Sequence, residues 1–161
     1  MDARNRLLVG ILEGAFGGKG WQGTTLLGSL RGVTAARATW RPGRGRHGIW
    51  ELALHAAYWK YAVWRRLTGQ TQRGTFPRAP SDWPAVPARP TAAAWRADIR
   101  LLRETHVQLV AAVAALPPNR LGARSPTGQW THAQMIAGVA AHDAYHTGQI
   151  QLIKKLRTAD H

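Results

Sequence analysis

The segment HDAYHTGQI near the carboxy end carries two residues suited to chemistry, His142 and His146, four positions apart. On a helix that spacing puts two imidazoles on one face about one turn apart, where they can share a cation. Counting about 100° per residue places both in the apolar stripe with Val139 and Ile153, so the rings point into the core. A buried ring without a partner costs on the order of 1–3 kcal/mol, so each needs a hydrogen bond or a metal. Spacing alone leaves both solutions open. A third ring, His55, lies at the edge of the stripe Leu52, Trp59 and Val63 in an earlier helical segment. Three inward imidazoles from two helices form a facial nitrogen set, leaving positions on Zn, Ni or Fe for water or substrate, which is the form of a catalytic site. The chain has no cysteine, so any metal must bind through His and carboxylates. A thiolate nucleophile, an iron–sulfur cluster and a Cys-based zinc site are excluded.

His106 falls near Leu102 and Leu109 on a third apolar stripe and is the rival fourth member: a ligand, a group behind the ligands or a solitary core histidine. His47, His132 and His161 are expected to be capping or solvated. Glu51, one turn before His55, and Asp143, next to His142, could orient an imidazole or accept a proton; a surface charge is the plainer role for each. The HxxxH spacing also fits zincin proteases, but those need Glu directly after the first His, and Asp143 stands there. His142–Asp143 is shared with HD phosphohydrolases, whose further metal-binding Asp and paired His are not found at matching places.

Helices must carry these rings. Leu7, Leu8, Ile11, Leu12 and Ala15 recur at helical spacing, Gly17, Gly18 and Gly20 interrupt, and Leu26, Leu27 and Leu30 resume, which predicts a kinked or divided first helix. A second helix starts at Ile49 and is closed by Gly69. Five prolines between Gly69 and Thr91, with Phe76 and Trp83 among them, disfavour helix and central strand and predict a long loop, either inert packing or a cover for the metal mouth. Thr91 can cap a third helix that runs to Pro117 and Pro118, with Arg96, Arg100 and Arg103 opposite its apolar stripe. Thr131 with Gln134 makes a capping box for a fourth, in which Gly148 suggests close approach of another helix. Nothing alternates as a strand. The 161 residues are one domain's worth of chain, so one domain over 1–161 is predicted: all-α, a four-helix bundle, with the long second connection leaving room for a crossover.

His55 within WELALHAAYW, the WRP turn at Trp40, Arg41 and Pro42, and HDAYHTGQI together resemble the DinB-like (DinB/YfiT-type) superfamily over most of the chain. The resemblance implies a four-helix bundle with a crossover connection, a homodimer, and one divalent metal held by His55, His142 and His146. Relatives include transferases and isomerases that use bacillithiol, mycothiol or glutathione, beside members of unknown reaction, so membership names no substrate. The glycine break at FGGKG departs from the family's continuous first helix.

Twenty-two Lys and Arg against eight Asp and Glu leave a net charge of +14, enough to attract polyanions. The leading expectation is a metal-dependent enzyme of hydrolase or thiol S-transferase type. Its cation would act as a Lewis acid on a small-molecule substrate, and any sulfur would come from a low-molecular-weight thiol. The alternative is a nucleic-acid-associated or stress-response module, motivated by Arg31, Arg37, Arg41, Arg44 and Arg46 with Trp40 and Trp50 among them, although no helix-turn-helix, zinc-finger or RNA-recognition pattern stands out. A bundle with a vestigial site is the third reading. No apolar run reaches the roughly 18 residues of a membrane helix, and the amino terminus lacks the pattern of a signal peptide, so a cytoplasmic protein is expected.

Overall fold

The structure, a computed structural model, describes residues 1–70, 74–125 and 128–159; His161 lies outside the described residues. Six α-helices and no strand occur among them. Helix α1 (Ala3–Phe16) opens on Asp2, whose carboxylate accepts from the Arg4 amide, and stops where the glycines begin. Gly20 lies against the last turn of α1: a Cβ there would sit 2.3 Å from the Gly14 carbonyl oxygen, so only glycine lets the chain fold back. Two short helices follow, α2 (Leu26–Leu30) capped by Thr25 and α3 (Ala35–Thr39) capped by Thr34. The first block is therefore divided, as its glycines indicate, and α3 adds an element too short for apolar periodicity to reveal.

Helix α4 (Ile49–Thr68) ends at Gly69 in the left-handed conformation, φ 72°. Helix α5 (Ala92–Ala115) begins where Thr91 Oγ1 accepts from the Ala94 amide at 3.1 Å, and Arg96, Arg100 and Arg103 are exposed on its outer face. Helix α6 (His132–Ala159) begins at the expected reciprocal box: the Thr131 amide donates to Gln134 Oε1 at 2.9 Å and the Gln134 amide to Thr131 Oγ1 at 3.2 Å.

The four long helices pack as a ring in the order α1, α5, α4, α6 and back to α1. The all-α four-helix bundle is thus the observed fold. Helices α1 and α4 stand diagonally, as do α5 and α6, so the crossing connections are residues 17–48 and 116–131. The proline-rich segment joins two neighbours, and the crossover does not run through it. That segment is tied down: Asp98 of α5 accepts from Trp50 Nε1 at 2.8 Å and pairs with the Arg78 guanidinium at 2.6 Å. Trp50 and Leu54 of α4, Leu102 and Leu109 of α5, and Ile136 and Ile150 of α6 are among the fully buried core residues. Gly148 has no close helix neighbour within the chain, since a Cβ there would meet nothing within 4 Å among the described residues, which leaves an approach between subunits as the other expectation. Among the described residues no helix is long and apolar enough to cross a membrane.

Candidate metal centre

Helices α4 and α6 lie side by side, which brings the middle of one against the middle of the other. There the three predicted rings converge. His142 Nε2 is 3.0 Å from His55 Nε2 and 2.9 Å from His146 Nε2, and one nitrogen from each ring falls within 4.8 Å of the other two. His55 and His146 are buried and His142 is half-buried.

The outer nitrogens decide what the inner ones can do. His55 Nδ1 lies 2.5 Å from the Asp82 backbone carbonyl, and His146 Nδ1 lies 2.6 Å from Gln149 Oε1. A carbonyl oxygen only accepts, so both rings carry their proton on Nδ1 and turn an Nε2 lone pair inward. His142 Nε2, facing both, can donate one proton at most, so one of the two close nitrogen pairs has no hydrogen between them unless a further proton or a cation enters. Burial disfavours the proton: it lowers the pKa of all three rings, and with its two neighbours takes His142 down to about 3. A divalent cation fits this donor set. Nitrogens bound at about 2.0–2.1 Å stand roughly 2.9–3.4 Å apart, and His142 Nε2 lies in that range from both of its partners.

The surrounding loop contributes more than packing. Trp83 stacks at 3.7 Å on His55 and at 3.7 Å on His47, so its indole is held between two imidazoles. Asp82, at φ 69°, offers its carbonyl to His55 while its carboxylate accepts from Trp59 Nε1 at 2.8 Å. Two cavities reach the rings. One of about 400 Å³ is bounded by His142, Trp59 and Trp130; another of about 510 Å³ is bounded by His146, His47, Arg46 and Trp83.

Other candidates fall elsewhere. His106 is buried but stacks on Phe16 at 3.7 Å, with Nε2 3.5 Å from Glu13, and does not join the three rings. Glu51 does not touch His55. It accepts from the Gly48 amide at 2.8 Å and takes Arg41 at 2.8 Å, latching the WRP turn onto the start of α4. Gly48 is required there, because a Cβ would lie 2.7 Å from the Trp40 carbonyl oxygen. His47 is exposed at that entrance, as expected, whereas His132 is buried, with Nδ1 2.9 Å from the Arg120 carbonyl. Asp143 is also not a surface charge: it is fully buried and paired with Lys60, itself fully buried. Burial pushes Lys60 down and Asp143 up, and each is countered by the other's charge. The pair joins α4 to α6 beside His142. The residues that sequence reasoning missed are Asp82, Gln149 and Lys60. Only Gln149 had a signal, its placement three residues after His146 on the same helix.

A helical bundle with three imidazoles convergent between two of its helices is the class these features define. Residues 21–150 match the DinB superfamily, and the chain belongs to it. Comparisons with curated proteins and with solved structures gave no match.

Proposed function

We propose that His55, His142 and His146 hold one divalent transition metal, Zn, Ni or Fe, at the reaction centre of a metal-dependent enzyme. The observation that carries this reading is the inward set of lone pairs: two ring tautomers are fixed by Asp82 and Gln149, and the third ring faces both at 2.9–3.0 Å. Bound there, the cation would supply Lewis acidity, polarising a substrate carbonyl or making a water or thiol more acidic. The Asp82 carbonyl and Gln149 orient their rings, Trp83 shields His55 from water, and the Lys60–Asp143 pair holds α4 against α6. Two cavities that end on different rings suit two organic reactants, which favours a transferase over a hydrolase. With no cysteine in the chain, a sulfur nucleophile would arrive as a low-molecular-weight thiol. The protein acts as one domain and as a homodimer, the second copy covering the groove where Leu7, Ile11 and Trp21 are exposed against α6.

Elemental analysis of protein purified without added metal, beside His55→Ala and His142→Ala, tests the reading. About one equivalent in the wild type and loss in both variants are expected. Unchanged metal content in both variants would overturn it.

A further inference from the structure

The cavity of about 400 Å³ beside His142 has a distinct chemistry. Its walls are mostly apolar, formed by Trp59, Val63, Trp130 and Met135 with the Gln129 amide beside them, and a cavity of this size suits a small organic molecule. One charged group reaches it, Arg66. One Arg66 nitrogen, Nη1, donates to the Ala62 carbonyl at 3.0 Å within the same helix, and the guanidinium lies over the Trp59 ring at 5.9 Å. Among the described residues no carboxylate pairs with it, while Arg4, Arg41 and Arg78 each have one. Arg66 therefore keeps planar N–H donors, beside an indole face, for an acceptor that the described residues do not supply.

The cavity also connects this guanidinium to the rings. Trp59 stands between the two, its ring 6.4 Å from His142 and 5.9 Å from Arg66 Cζ, so the ends are at most about 12 Å apart. Gly138 of α6 borders the same space, and a Cβ there would meet nothing within 4 Å. In a helix interior glycine is less favourable than alanine, and here its effect is to leave the cavity open.

We infer that this cavity binds a small carboxylate with an apolar or aromatic body, its carboxylate on Arg66 and its other end at His142; this rests on the metal-centre reading above and gives its substrate a class. A single guanidinium matches one carboxylate bidentately. A phosphate dianion carries more charge than the one guanidinium in this mostly apolar cavity neutralises, which disfavours it relative to a monocarboxylate.

The test uses the full chain with 3-phenylpropanoate and its uncharged isostere 3-phenylpropanamide. Binding is followed by calorimetry at fixed ionic strength for wild type, Arg66→Gln and Gly138→Leu, with metal content measured on the same samples. The wild type should bind the acid at least about tenfold more tightly than the amide, the increment of a charge-assisted pair. Arg66→Gln should erase that preference and leave amide binding unchanged. Gly138→Leu, whose side chain enters open space, should weaken both ligands more than tenfold while keeping the fold by circular dichroism. Equal binding of acid and amide by the wild type would overturn the proposal. So would a preference that survives Arg66→Gln, because the carboxylate would then be held by the general positive charge or by the metal. The preference should also persist in His146→Ala, and a wild type that holds no metal yet still selects the acid through Arg66 would refute only the metal centre.

Discussion

The buried ion pair beside the rings gives the sharpest stability prediction. Lys60 and Asp143 are each fully excluded from water, and the ammonium's one hydrogen-bond partner among the described residues is Asp143, with the Phe16 ring 4.8 Å away. Replacing either partner alone strands a buried charge or forces it to neutralise, which costs about 3–5 kcal/mol. Replacing both with apolar groups of similar volume removes the desolvation penalty together with the attraction and is close to neutral. Lys60→Met and Asp143→Leu should therefore each destabilise by about 3–5 kcal/mol, while the double variant lies within about 1–2 kcal/mol of wild type. For a domain of this size each kcal/mol moves the Tm by about 2–4 °C, so each single change lowers it by on the order of 10 °C. A double-mutant cycle in urea reads the coupling. Single costs below about 1 kcal/mol, or a double variant as unstable as the two single losses together, would refute the reasoning.

Further outcomes follow from other parts of the molecule. His106 is held neutral by burial and by Lys60, with its pKa lowered from 6.5 to about 3. The unfolded chain therefore binds a proton that the folded chain refuses, and this contribution to stability is complete above pH 6.5 and is lost as pH falls towards 3. Between pH 7 and 5 the wild type should lose about 2 kcal/mol more than His106→Leu in urea titrations, and parallel losses would contradict this. Asp82→Ala keeps the carbonyl that His55 uses but removes the carboxylate 3.3 Å from His55 Nδ1, strains a residue at φ 69° and frees Trp59, so metal affinity should fall about tenfold, whereas Asp82→Gly, without the strain, should lose less. A competition titration with a chromophoric chelator separates the two variants. Gly148→Ala adds a methyl group that meets nothing in the chain and should raise stability by about 0.5–1 kcal/mol; a decrease would mean that a second copy packs there. Leu7→Glu should shift the protein from dimer to monomer in light scattering, and a wild type already monomeric would refute the dimer.

The helices and the three rings were legible because both rest on periodicity. His142 and His146 share a helix face by spacing, His55 falls in an apolar stripe, and Thr91, Gly69 and the Thr131–Gln134 box mark helix ends with local chemistry. The remainder depends on contacts between distant segments. Asp82 serves His55 through a backbone carbonyl, which no side-chain pattern encodes. Asp143 reads as a surface charge because lone charges almost never lie inside, and only the packing of α4 on α6 brings Lys60 to it. His132 looked solvated at a helix start, but the 116–131 connection folds its Arg120 carbonyl onto the ring. Prolines identified the loop before α5 without showing that Arg78 on Asp98 would anchor it and set Trp83 against His55.

X-ray absorption at the edge of the metal in the as-purified protein tests the centre most directly. The arrangement of His55, His142 and His146 predicts three imidazole nitrogens at about 2.0–2.1 Å if the ion is zinc, with the imidazole outer-shell scattering reduced in His146→Ala. A spectrum with one imidazole or none, unaltered by that substitution, would contradict the account.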